Sequence, residues 1–359
     1  MNVSSKAAIS AAVVLAGSTA VTGCAAQTGA QSGSSTPASS APSAVALAAA
    51  AGAATSASTG PSGGKFTVVA AENFWGSIAS QLGGRQVTVT SIITNPDTDP
   101  HEYEATPDDA RLIAGTRMFI QNGIGYDTSW APKLVAANAS DSREVLTVGD
   151  VVGLKDGDNP HQWYSRDSVY KVINAIVADY QKIDPADANW FDSQKQTFEN
   201  QTLAKYNSLE SDIKAKYAGT PIGASESIVS PLADTLGLQM LTPYSFLTDI
   251  SEGTDPTVAD KALIDQQIKG KQMKVYVYNS QNSTPDITAQ VDEAKKAGIP
   301  ITTVTETLSP AGASFQEWMV AELESLQDAL SLAAGTGQAA QVHDDAPAAG
   351  SGSGCGSAR

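Results

Sequence analysis

The sequence predicts an α/β fold of two lobes. Each lobe is a parallel-type sheet flanked by helices, one long rigid helix joins them, and a ligand site lies in the cleft between. Three observations carry this reading. Strand-length apolar runs alternate with helix-length amphipathic segments from about residue 65 to 184. The same alternation returns from 219 to 334. Between them, Pro185 to Tyr217 contains no internal glycine or proline. Alternating strands and helices imply a parallel sheet covered by helices.

In the first half, KFTVVAA (65–71) reads as a buried strand and QVTVTSII (86–93) as the next. NFWGSIASQLGG between them reads as a helix stopped by glycine. TPDDARLIAG opens with Thr106 as N-cap and Pro107 at the first helical position. RMFIQNG (117–123) is a third strand. In the second half TPIGAS (220–225), LQMLTP (238–243), MKVYVYN (273–279) and PITTVT (300–305) read as strands. SIVSPLADTLG, VADKALIDQQIKG, DITAQVDEAKKAG and SFQEWMVAELESLQDALSLAA read as the helices between and after them. The halves share an architecture without a sequence repeat.

The linking helix is assigned to 185–218. Trp190, Phe191, Phe198, Tyr206, Leu209, Ile213 and Tyr217 mark one face at helical spacing, and Gly219 ends it. Such a helix would run about 50 Å at 1.5 Å per residue, which makes a stiff hinge.

The ends read differently. Lys6 is the only charge before residue 65, and the apolar run Ala7 to Val21 that follows is short for a bilayer span. It ends in VTGC, so residues 1–23 read as a signal peptide with Cys24 as a lipidated N-terminus, the alternative being an ordinary secretory signal. Several acyl chains on one cysteine anchor stably, whereas one does not. Residues 24–64 are an Ala/Ser/Gly tether, and 335–359 are a tail of the same character that holds His343 and Cys355. Two cysteines placed this way imply no disulfide framework.

The chain carries 38 acidic against 22 basic residues, a net charge of −16. No basic patch stands out, which argues against nucleic acid as a partner. Acidity suits solubility, and it also suits attraction of a cation. Of three histidines, two sit in near-copies of one tripeptide, DPH at His101 and NPH at His161. Proline fixes its own φ and pushes the preceding residue toward extended geometry, so each imidazole is presented just after a rigid corner. His101 follows a strand's C-terminal end, the edge where open α/β sheets bind ligands. Each histidine alone could equally be a satisfied structural residue; the matched pair points to a metal site, since imidazole is a common ligand. Glu226 and Glu306 follow predicted second-lobe strands directly. Either could instead oppose a helix dipole. Together, two histidines from one lobe and two glutamates from the other would hold a cation between lobes. Metal-bound histidines usually donate their other N–H to an oxygen acceptor, and Asp99, Asp158 and Glu104 are the candidates. Trp75 and Trp163 are candidates to wall the cleft, with core packing the alternative for Trp75.

From about 66 to 332 the chain resembles the zinc/manganese solute-binding lipoproteins of bacterial ABC importers. DPHEYEATPDDARLIAGTRMFIQNGIGYD is similar to the family's first-ligand segment and the helix and strand after it. NPHQWY is similar to its second-ligand segment, and KIDPADANWFDSQKQTFENQ to its entry into the linking helix. The resemblance implies one divalent ion between two lobes, His101 and His161 as ligands, and an acidic fourth ligand at Glu306. The family's third ligand is often a histidine in a T-H-D context. Here ASESIV puts Glu226 in that place, as in the manganese-type branch. The His-rich loop of many zinc members is absent from the sequence.

Carboxylates suit Mn²⁺ and imidazoles suit Zn²⁺, and intrinsic affinity favours zinc. Carboxylate denticity, on which the choice turns, is not legible. The function expected is capture of a divalent transition-metal ion, Mn²⁺ or Zn²⁺, as transported ligand, and delivery to an ABC importer permease by a monomeric, membrane-anchored protein outside the cytoplasm. It is not expected to be an enzyme: HExxH, GxSxG and P-loop motifs are missing. The alternatives are an envelope adhesin or interaction lipoprotein with a structural metal, a metallohydrolase, and a binder of an organic solute.

Overall fold

The structure, a computed structural model, describes residues 65–336 except 97, 99 and 283. The signal segment, Cys24, the tether, the tail and Asp99 lie outside the described residues. The first lobe contains β1 (Phe66–Glu72), α1 (Asn73–Gly83), β2 (Val87–Ile93), α2 (Pro107–Gly115), β3 (Met118–Gln121), α3 (Ala131–Ala137), β4 (Glu144–Thr147), α4 (Val148–Val152) and α5 (Arg166–Ile183). Next come α6 (Ala188–Thr197) and α7 (Ala204–Tyr217). The second lobe holds β5 (Pro221–Ala224), α8 (Ser230–Leu236), β6 (Gln239–Met240), α9 (Tyr244–Ser251), α10 (Val258–Lys269), β7 (Val275–Asn279), α11 (Pro285–Ala297), β8 (Ile301–Val304) and α12 (Phe315–Ala333).

The two sheets have the same order, β2-β1-β3-β4 and β6-β5-β7-β8, and every pairing is parallel. Chain direction across each sheet reverses at its centre, between β1 and β3 and between β5 and β7. The crevice outside the strands' carboxyl ends there is where such sheets take ligands. β1 and β3 are near-continuous apolar runs because helices cover both their faces.

Helix starts follow side-chain chemistry. Thr106 and Asp109 form a reciprocal capping box with Pro107 at the first position of α2. Ser314 and Glu317 do the same for α12. Ser165 caps α5, whose buried stripe Val169, Val172, Ile173, Ile176, Val177 and Tyr180 faces the core. The Tyr180 hydroxyl donates to the Ala79 carbonyl, 2.9 Å away on α1. α12 packs on α7 and β8 and reaches back to α1, where the Phe315 N–H donates to Ser77 Oγ at 2.9 Å.

Two expectations need correction. The linking helix is not continuous. A π turn, Phe198–Thr202, and Leu203 with ψ near 0° separate α6 from α7. Phe198, Leu203 and Tyr206 are all buried. A strict 3.6-residue repeat does not hold these three spacings on one stripe, and the wide turn restores them. Packing sets this break, with no glycine or proline to mark it. The strand expected over 238–243 shrinks to Gln239–Met240. α3, β4, α4 and α5 occupy 131–183, where the sequence reading names no element.

An aromatic cluster spans the lobes beneath the cleft. Phe74 stacks on Trp163 with centroids 4.0 Å apart, and Tyr164 meets Trp318 of α12 edge-on at 5.6 Å. Trp75, fully buried, is a core residue whose Nε1 donates to Asn122 Oδ1 at 3.0 Å. A Phe-to-Ala truncation in such a cluster costs about 3–5 kcal/mol.

Candidate metal centre

His101, Glu226 and Glu306 lie on segments that follow strands' carboxyl ends, and His161 lies on the loop after α4. His101 lies in a short 3-10 turn, Pro100–Glu102, on the loop after β2. His161 immediately precedes the turn Gln162–Tyr164 and is fully buried. Glu226 follows β5 and begins the turn Ser227–Val229. Glu306 stands two residues beyond β8. Both glutamates are buried.

His101, His161 and Glu306 each offer one ligand atom, and these three atoms lie within 4.8 Å of one another. The imidazole centroids are 5.6 Å apart, and His161 Nε2 is 3.5 Å from Glu306 Oε1. Two nitrogen donors from the first lobe thus converge with an oxygen donor from the second. Glu226 is not one of this group of three; its Oε2 accepts from Asn282 Nδ2 at 3.0 Å.

The protonation of His161 follows from its neighbour. Asn159 Oδ1 accepts the His161 backbone N–H at 3.0 Å and faces ring Nδ1 at 2.9 Å. Asn159 Nδ2 donates to the Ser227 carbonyl at 2.7 Å. The amide oxygen therefore faces the ring, which puts a proton on Nδ1, while Nε2 lies on the side of Glu306.

Glu306 is held from three sides. Tyr126 Oη donates to Oε2 at 2.9 Å, Asn279 Nδ2 donates to Oε1 at 3.1 Å, and its own N–H donates to Gln281 Oε1 at 2.6 Å. Burial pushes its carboxyl up, but the imidazoles of His161 and His101 and the Tyr126 hydroxyl outweigh burial and hold it below the usual carboxylate range. Tyr126 ends a tight loop after β3 in which Gly123 and Gly125 take positive φ. Asp127 secures that loop by accepting the N–H groups of Asn122 and Gly123 at 2.7 Å each.

The carboxylates expected to orient the histidines do other things. Asp158 accepts from the Lys155 N–H at 3.0 Å and closes its own turn, and Glu104 is exposed. The residue that faces His161 Nδ1 is Asn159, the first letter of the NPH tripeptide itself. Trp163 walls the site, edge-on to His161 at 5.2 Å. A cavity of about 80 Å³ opens beside His101, bordered by Asp158, Asn159 and Ser227. A far larger groove, about 1170 Å³, runs past Arg166, Glu210 and Tyr244 and touches none of the four candidate ligands. Volume here does not mark the chemistry: of the four candidate ligands, His101 alone borders the smaller cavity.

The chain is 27% identical over 289 residues to the metal ABC transporter substrate-binding lipoprotein ScbA of Streptococcus cristatus, covering 74% of this chain and 89% of that protein. It is 25% identical over 295 residues to the manganese ABC transporter substrate-binding lipoprotein PsaA of Streptococcus anginosus, covering 75% and 91%. Its fold matches the Mn-bound periplasmic metal binding protein from Candidatus Liberibacter asiaticus with a TM-score of 0.62 at 19% identity, over 74% of this chain and 100% of that one. A family model matches residues 68–329, and the chain belongs to that family, zinc-uptake complex component A, periplasmic (ZnuA).

Proposed function

We propose that this chain is an extracytoplasmic substrate-binding protein that captures one divalent transition-metal ion, Mn²⁺ or Zn²⁺, and delivers it to the permease of an ABC importer. The observation that carries this is the convergence of ligand atoms from His101, His161 and Glu306 across the cleft. Imidazole nitrogen and carboxylate oxygen are donors for such ions. Glu226 is the fourth ligand in this reading. Four protein donors leave no position for an activated water, which suits capture and release and not hydrolysis. Membership of a zinc-uptake family and relatives named as metal ABC transporter substrate-binding lipoproteins support the same role. A lipid anchor at Cys24, with the Ala/Ser/Gly tether behind it, would hold a monomer at the outer face of the membrane within reach of a permease.

Elemental analysis tests this directly. A chain beginning after Cys24, dialysed without chelator and then offered Zn²⁺ or Mn²⁺, should hold about one ion. His101→Ala and Glu306→Ala should lose tight binding and keep their circular dichroism. No uptake by the parent chain, or unchanged uptake by both variants, would remove the proposal.

A further inference from the structure

We infer that the ion enters and leaves through the small cavity beside His101 while the lobes stay together, and that His101 is the ligand it meets first. This deepens the cation-capture reading above and rests on it. Of the four candidate ligands, His161, Glu226 and Glu306 are buried, whereas His101 is partly exposed and alone borders the cavity. The cavity, about 80 Å³, lies on the seam between the lobes. One wall is first-lobe loop, Gly125 and Gly157 to Pro160. The other is one face of α9 and its C-cap, where Tyr244, Thr248, Ser251 and Glu252 recur at helical spacing. Gly125, Gly157, Tyr244 and Glu252 are exposed, so the cavity reaches the surface as well as a ligand. Asp158, Asn159 and Tyr244 also border the large groove, so the two spaces adjoin.

The lining suits a cation in transit. Ser227 Oγ and Ser251 Oγ lie 2.8 Å apart, and Thr248 Oγ1 is buried with no hydrogen-bond partner among the described residues. A space of this size has room for a few waters, so an ion crossing it trades part of its hydration for these hydroxyl oxygens. Glu252 and Asp158 add negative charge at the border, which raises the local concentration of a cation. Parting the lobes instead would break bonds across the seam: Tyr126 to Glu306 at 2.9 Å, Asn159 to the Ser227 carbonyl at 2.7 Å and Tyr164 to the Thr305 carbonyl at 3.0 Å. A turn of the His101 side chain breaks none of these three and passes the ion on to His161 and Glu306.

Zn²⁺ is the probe, followed by stopped-flow tryptophan fluorescence, since Trp163 lies edge-on to His161. Association is read on mixing Zn²⁺ with the metal-free chain lacking residues 1–24, and dissociation on mixing the loaded chain with excess chelator. Thr248→Phe fills the passage. It should slow association and dissociation by the same factor, tenfold or more, as roughly 1.4 kcal/mol on a barrier does, and leave the equilibrium affinity unchanged. Thr248→Met is the smaller companion should Phe disturb α9, with a weaker slowing of both rates. Glu252→Gln, on the exposed rim, should slow association at low ionic strength, and added salt should remove the difference. Unchanged rates in the Thr248 variants, a change in dissociation alone, or a Glu252→Gln association rate equal to the parent's at low salt would each overturn the inference. In those cases metal uptake by the parent leaves the capture reading standing. A parent chain that takes up no Zn²⁺ would overturn both.

Discussion

The hydroxyl of Tyr126, on the first lobe, donates to Oε2 of Glu306, on the second, at 2.9 Å. The bond ties lobe position to the orientation of a ligand. A hydrogen bond to a charged partner contributes about 1.5–3 kcal/mol. Losing a residue that supports a metal ligand typically weakens binding ten- to hundredfold. Tyr126→Phe keeps the ring, and with it the edge contact to His101 at 4.6 Å and the packing on Trp163 at 5.1 Å. The expected outcome is Zn²⁺ binding weaker by about ten- to hundredfold, with the fold retained. Calorimetric titration of both proteins at one pH checks it, and equal affinities would show that Glu306 is oriented without Tyr126.

A second prediction concerns protons and Asn159. An imidazole must be neutral to bind a metal, so binding releases any proton it carries. Affinity should be flat at alkaline pH and fall as acid protonates the imidazoles. Glu306 does not produce this fall, because its carboxyl titrates below the usual carboxylate range. Asn159→Ala removes the acceptor that fixes the Nδ1–H tautomer of His161. Affinity should drop about ten- to hundredfold. Zn²⁺ competition against a chromophoric chelator from pH 8 to 5 measures both, and a flat profile would contradict histidine ligation.

The comparison of sequence with structure separates what local chemistry dictates from what packing decides. The capping box at Thr106 and Asp109, the buried runs of β1 and β3 and the C-terminal placement of Glu226 and Glu306 all follow from residue type and spacing, so they were legible. So was the pairing of the two Pro-His corners, because proline makes a local constraint that survives folding. The break at Leu203 was not, since its cause is the burial of Phe198, Leu203 and Tyr206 against distant partners. β4 has four residues and Val145 is exposed, which leaves little alternation to read. α5 is a different case: Ser165 and the stripe from Val169 to Tyr180 were a readable signal. The amides at 279, 281 and 282 carry neither charge nor period, so only their contacts reveal them. Charge points to Asp158 and Glu104 as the residues that orient the histidines, whereas a neutral amide at Asn159 faces the His161 ring.

The last prediction lies one layer below the site. Glu322 on α12 accepts from Tyr164 Oη at 2.5 Å, Thr305 Oγ1 at 3.0 Å and Trp318 Nε1 at 2.8 Å. Tyr164 also has the Thr305 carbonyl within 3.0 Å, so its single proton faces two acceptors. A neutral Glu322 supplies the missing proton. Burial pushes this carboxyl up to about 8, against the lowering effect of its three hydrogen-bond donors. A raised acid is protonated in the folded chain and ionised in the unfolded chain between about 4.5 and about 8. Its contribution is therefore complete below about 4.5 and is lost as pH rises toward 8. The size is on the order of a few kcal/mol, reduced by the partial exposure of the side chain. Glu322→Gln keeps the shape and cannot ionise. Urea unfolding of the metal-free chain should show the variant gaining stability relative to the parent between pH 5 and 8. Parallel pH profiles would mean that Glu322 titrates as an ordinary carboxylate and that the Tyr164–Thr305 contact beneath Glu306 is not held by its proton.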